Sequence, residues 1–130
     1  MMISFRSKIF DSSIEEDTEQ FLGEDVAKWI ASRLSGWNTS VVGEDWGWAV
    51  LAARPHFKYV IGVYDHDVDD VTDGGAKWVI RLFNERDRSG WLKKLFRYVP
   101  PKAHEEVVAE VVGLLRSSRD VSNIEVEALV

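Results

Sequence analysis

Apolar residues recur every four positions through Leu22, Val26, Ile30 and Leu34, and they form one stripe along a helix. Trp29 and Ala27 lie beside this stripe, which widens it to about a third of the helix circumference. A stripe of this kind must face a core. The pattern therefore predicts an amphipathic helix over about residues 18–35.

A second helical pattern occupies the last third of the chain, from about residue 102 to 118. Its β-branched residues are frequent for a helix, but its length and its glutamate-rich opposite face favour a helix over a strand. The apolar positions form two adjacent lanes: Val107, Val108, Val111, Val112, Leu114 and Leu115. A shorter amphipathic helix is predicted after Ser89, and Pro100 and Pro101 end it.

Between and around these helices the alternation has period two, which is typical of strands. Strand-like segments cover residues 2–6, 39–42, 46–53, 57–64, 77–83 and 124–128. Because side chains two positions apart share a face, Trp46 and Trp48 are expected on the same side of one strand. The terminal segment is predicted to lie at an edge of the sheet or beside the first strand.

The predicted order of elements is β-α-β-β-β-β-α-α-β, which separates the helices from a run of strands. Short connections between consecutive strands favour antiparallel pairing. Such an order is typical of an α+β domain in which the helices cover one face of the sheet. We therefore predict a single domain over residues 1–130, with a mostly antiparallel sheet of about five to six strands and two main helices on one face.

Composition narrows the functional classes. The chain has 130 residues and no cysteine, which excludes disulfides, thiolate metal ligands and cysteine nucleophiles. A net charge of -6 disfavours binding to DNA, because phosphate backbones would be repelled. The sequence shows neither a signal-peptide pattern nor an apolar run long enough to span a membrane, so we expect a cytoplasmic protein.

The sequence lacks the common motifs of nucleophilic catalysis, phosphate binding and metal ligation by histidine pairs. The chain contains no Gly-x-Ser-x-Gly elbow and no glycine-rich phosphate loop. Its histidines, His56, His66 and His104, are not spaced as metal-binding pairs. These observations favour a non-catalytic protein without a cofactor or a metal site.

The densest polar cluster lies between Asp65 and Gly75. Carboxylates and an imidazole so close together are capable of cation binding, but the calcium-loop pattern fails. Its sixth position is Asp70 instead of glycine, and its twelfth is Ala76 instead of a carboxylate. A solvated connector, a cation site and an acidic docking surface remain as interpretations. The carboxylates are those of Asp65, Asp67, Asp69, Asp70 and Asp73.

Six tryptophans are a large number for this length, and Trp46 and Trp48 follow the acidic pair Glu44 and Asp45. If these indoles face the core, they are packing residues. If they face solvent, they form a recognition platform, because tryptophan is enriched in interface hot spots. A basic stretch over residues 86–102, interleaved with aromatic residues, fits a solvated face, a membrane-surface helix or a single-strand-binding patch.

The leading hypothesis is a non-catalytic protein-interaction module, an acidic inhibitor or immunity-type protein that binds a basic surface of a partner protein. The expected contact residues are Glu44, Asp45, Trp46, Trp48, Asp65, Asp67, Asp69, Asp70 and Asp73. The alternative is a small-ligand-binding protein or small enzyme with an aromatic pocket between helix and sheet, lined by Trp48, Tyr59 and Trp78, with Asp65 or His66 at its mouth. A homodimer built through the terminal strand or an exposed sheet face is compatible with either.

Overall fold

The computed structural model describes residues 1–12, 21–55, 57–84 and 101–127, with the side chains of residues 57, 83, 84 and 101–104 excepted. The described chain is an α+β unit with a seven-stranded antiparallel sheet and two helices. The elements are β1 (Met2–Ser7), α1 (Glu24–Arg33), β2 (Asn38–Glu44), β3 (Gly47–Arg54), β4 (Phe57–Tyr64), β5 (Val71–Thr72), β6 (Gly75–Asn84), α2 (Pro101–Ser117) and β7 (Val121–Glu127).

The strand count and the order of elements differ in detail from the prediction. Strand β5 has only two residues, both exposed, so it carries no alternation by which it could be recognised. Helix α1 begins at Glu24 instead of residue 18, after Gly23 in a left-handed conformation. The short helix predicted after Ser89 lies outside the described residues.

The sheet order is β2-β3-β4-β6-β1-β7, and every pair is antiparallel. Strands β2, β3 and β4 form a meander, as the short connections predicted. Strand β1 lies between β6 and the edge strand β7, so the first strand of the chain is an interior strand of the sheet. The terminal strand β7 both pairs with β1 and lies at an edge, which confirms the expectation for that segment.

One core joins the sheet and both helices. On each central strand, alternate residues enter this core, so both helices cover the same face of the sheet. Burial of a large aliphatic side chain stabilises the fold by up to about 1.5–3 kcal/mol. Fully buried aliphatic members include Ile3, Val26, Ile30, Val50, Ile61, Val63, Ile80, Leu82, Val111 and Leu115.

A polar clamp fixes α2 near the start of the meander. Glu110 of α2 accepts a hydrogen bond from Nε1 of Trp37 and forms an ion pair of 3.0 Å with Arg54 of β3. The Arg54 guanidinium in turn lies 4.0 Å from the ring centroid of Trp37. This clamp connects three segments that are distant in sequence, so it helps to set the position of α2.

Candidate functional site

The acidic end of the sheet is the end at which β1 and β4 finish and β3 and β6 begin. Its residues are the Glu44–Asp45 turn, the loop from Asp65 to Asp73 and the first turn of α1. The β3–β4 register places Trp48 beside Val63, and the β1–β6 register places Ser7 beside Ala76. Strand pairing therefore brings together the two acidic segments that the sequence singled out.

Trp46 and Trp48 lie on opposite faces of the sheet, so the expectation that they share a face is wrong. The ladder between β2 and β3 closes at Glu44 and Gly47, which leaves Trp46 in the two-residue turn. Gly47 has φ +154°, and a Cβ there would collide with the Val63 carbonyl oxygen. Trp48 faces the helices, where its Nε1 donates to the Phe21 carbonyl oxygen at 2.7 Å.

On the face opposite the helices, Trp46 stacks on Tyr64 with ring centroids 4.8 Å apart. Gly62 makes room for this stack, because a Cβ there would lie 3.0 Å from the Trp46 ring. The Arg81 guanidinium lies 5.2 Å from the Tyr64 ring centroid. Burial raises the pKa of Tyr64 above its ordinary value, and the Arg81 charge partly opposes this shift. The stack connects the Glu44–Asp45 turn to the start of the acidic loop.

Three of the predicted contact residues hold the acidic loop in place. Asp65 accepts a hydrogen bond of 2.8 Å from the backbone N–H of Leu22. Asp70 forms an ion pair of 3.0 Å with Arg6, whose guanidinium also donates to the Asp70 carbonyl oxygen. Asp67 lies 3.8 Å from the Lys77 ammonium group. The charges of Asp67 and Asp70 are therefore partly neutralised by cations, and all three carboxylates tie the loop to neighbouring segments.

The remaining carboxylates of the predicted set are directed to solvent. Asp45, Asp69 and Asp73 are exposed and have no ion-pair partner among the described residues. They belong to three different turns at the same end of the sheet. Their charges consequently add up in one region instead of being spread over the surface.

Exposed apolar side chains accompany these charges, and the sequence did not single them out. Four large hydrophobic residues among the described ones are exposed, and three of them lie at the acidic end: Ile9 (48%), Phe21 (40%) and Val71 (62%). Ile9 follows the end of β1, Val71 pairs with Ala76, and the Phe21 carbonyl oxygen bonds to Trp48. Exposed apolar groups rimmed by polar residues are a feature of protein-interaction surfaces.

Pocket and metal chemistry have less support in the described residues. Tyr59 and Trp78 are 1% and 0% exposed and belong to the core. The cleft that includes Tyr59 has a volume of about 280 Å³ and is lined by residues of β2, β3 and β4. No group of three or more potential metal ligands occurs in the part of the chain that the structure describes.

The basic stretch over residues 86–102 lies outside the described side chains. No described helix has the length and apolar character needed to cross a membrane.

Comparison with known protein families, with curated proteins and with solved structures gave no significant match.

Proposed function

We propose that this protein is a non-catalytic interaction module whose acidic end binds a basic surface of a partner protein, as an inhibitor or immunity-type protein does. The observation that carries the proposal is the presence of Ile9, Phe21 and Val71, all exposed, at the same end of the sheet as the acidic turn and loop. Asp45, Asp69 and Asp73 supply charge there without an ion-pair partner among the described residues.

Burial of apolar side chains and attraction between charges contribute to this binding in different ways. The exposed apolar side chains lose water on contact, which contributes about 25 cal/mol per Å² of apolar area before the entropic cost of association is subtracted. The carboxylates attract a basic partner over several ångströms, which accelerates encounter and rejects acidic competitors. The bonded carboxylates Asp65, Asp67 and Asp70 keep the loop in one conformation, so little ordering entropy is lost on binding.

Site-specific photo-cross-linking tests where the partner binds. A photoreactive amino acid replaces Val71 in one variant and Phe21 in another, and the full chain is irradiated in a lysate of its source. We expect the same basic protein to be cross-linked from both positions. Addition of salt before irradiation should weaken both adducts, because the steering charges are exposed.

The matched control is Val126, the fourth exposed hydrophobic residue, which pairs with Ile3 away from the acidic end. A photoreactive residue at this position should give no adduct with that protein. The proposal is refuted if positions 21 and 71 give no common adduct, or if position 126 captures the same protein equally well.

A further inference from the structure

The outer edge of β2 has backbone groups that bond to no other strand among the described residues. In the ladder with β3, Glu44 and Gly47 close a two-residue turn and so form a hydrogen-bonded pair. Such pairs alternate along an antiparallel ladder, so the even-numbered residues of β2 bond to β3. The N–H and C=O groups of Thr39, Val41 and Gly43 therefore point away from the sheet, and β2 has no other strand partner among the described elements.

The two edges of the sheet differ in their protection against pairing. Edge β7 contains a register shift opposite β1, a left-handed Asn123 with φ 51°, and the exposed charges of Glu125 and Glu127. Bulges and charges of this kind prevent the addition of another strand. Edge β2 pairs with β3 without any shift, and its sequence Asn-Thr-Ser-Val-Val-Gly-Glu has no proline, no lysine and one charge, at its end.

We propose that β2 is a dimerisation edge, on which the β2 strand of a second copy pairs in antiparallel orientation about a twofold axis at Val41. The N–H and C=O groups of Val41 then form two hydrogen bonds with those of Val41 in the other copy. Thr39 forms the same pair of hydrogen bonds with Gly43 of the other copy. On the other face, Ser40 lies opposite Val42 and Asn38 lies opposite Glu44. No like charges meet in this register.

The electrostatics and the helix layer are compatible with this arrangement. Antiparallel pairing sends the two acidic ends in opposite directions, which keeps the most negative regions of two chains of net charge -6 apart. Helix α1 contacts β2 and β3 on one face of the sheet. With α1 above the space between β2 and β3, the two copies of α1 would lie about 10 Å apart, which is the spacing of packed helices.

A pair of charge variants tests this register. In Ser40→Lys/Val42→Lys, each new lysine lies directly opposite a lysine of the other copy. In Ser40→Lys/Val42→Glu, each lysine lies opposite a glutamate. Both variants lose the same valine. We expect the lysine–lysine variant to have a dimer dissociation constant roughly tenfold or more above that of the lysine–glutamate variant, since two direct pairs change sign.

Sedimentation equilibrium of the full chain measures the three dissociation constants, and circular dichroism confirms that each variant is folded. Hydrogen exchange supplies a second readout that needs no substitution. The amides of Thr39, Val41 and Gly43 should become protected as the concentration of the wild-type chain rises, whereas those of Ser40 and Val42 stay protected throughout. A wild-type chain that is monomeric at roughly 1 mM, or equal dissociation constants for the two variants, would overturn the proposal. This dimer does not depend on the function proposed for the acidic end.

Discussion

Substitution of Gly47 by alanine should strongly destabilise the protein, because this residue determines the turn that separates Trp46 from Trp48. Its φ of +154° is one that residues with a Cβ rarely adopt. The new methyl group would also overlap the Val63 carbonyl oxygen of the neighbouring strand. Backbone atoms of a sheet cannot rotate out of the way as a side chain can, so β3 and β4 must separate locally.

The size of the effect follows from two contributions. A non-glycine residue in this region of φ costs about 1–3 kcal/mol. Withdrawal of the carbonyl oxygen by roughly 1 Å to ordinary contact distance weakens a ladder hydrogen bond, which adds about 0.5–1.5 kcal/mol. The sum of about 1.5–4.5 kcal/mol is a large part of the 5–15 kcal/mol typical of a domain. It corresponds to a fall in Tm of about 6–18 °C.

Urea denaturation and thermal melting of wild-type and Gly47→Ala protein measure this loss. The matched control is Gly113→Ala in α2, where a Cβ would meet no atom within 4 Å. Because alanine favours the helical conformation, the control should increase the free energy of unfolding by about 0.5–1 kcal/mol. The reasoning is refuted if Gly47→Ala is within 1 kcal/mol of wild type, or if both substitutions shift stability in the same direction.

Further predictions concern the clamp, the aromatic stack and the loop. Glu110→Ala should lower the free energy of unfolding by about 2–3 kcal/mol in urea melts, because the Trp37 N–H loses a charged acceptor. The control Glu106→Ala, on the same helix, should change the free energy of unfolding by less than about 0.5 kcal/mol. Equal effects of the two substitutions would contradict the role of the clamp. Ultraviolet titration should show Tyr64 ionising above the ordinary pKa of 10.0, and Arg81→Ala should raise this pKa further. Since the folded-state pKa is the higher one, the contribution of Tyr64 to stability is complete below pH 10.0 and is lost as pH rises through the folded-state pKa. Arg6→Ala should accelerate amide exchange at Thr72 and at Lys77, whose N–H donates to the Asp70 carbonyl oxygen, by releasing Asp70. Unchanged exchange at these two amides would show that the ion pair does not hold the loop.

Local patterns in the sequence predicted the elements whose side chains alternate between a core and solvent. The stripe from Val107 to Leu115 faces the core as the periodicity requires, and so does the alternation through Trp78, Ile80 and Leu82. Strand β5 escaped prediction because both of its residues are exposed and its pairing depends on the Asp73–Gly74 turn.

The candidate site depends on features that a local pattern does not contain. The ladder between β2 and β3 closes at Glu44 and Gly47, and this register places Trp46 and Trp48 on opposite faces of the sheet. The alternation of residues along the sequence does not determine that register. Arg6 reaches Asp70 across 64 positions in sequence because β1 inserts beside β6. The same insertion brings Ile9 to the acidic end, so the apolar part of the surface could be seen only once the strand order was known.

The association rate of the cross-linked partner with two matched charge variants is the most direct test of the acidic end as a binding surface. Asp45→Asn/Asp69→Asn/Asp73→Asn removes three exposed carboxylates there without breaking an ion pair between described residues, and Glu105→Gln/Glu106→Gln/Glu125→Gln removes three exposed carboxylates elsewhere. Stopped-flow measurements over a range of salt concentrations should show association roughly tenfold slower and a flatter salt dependence for the first variant. The second variant should stay within about twofold of wild type. Equal rates for the two variants would contradict the assignment of binding to the acidic end.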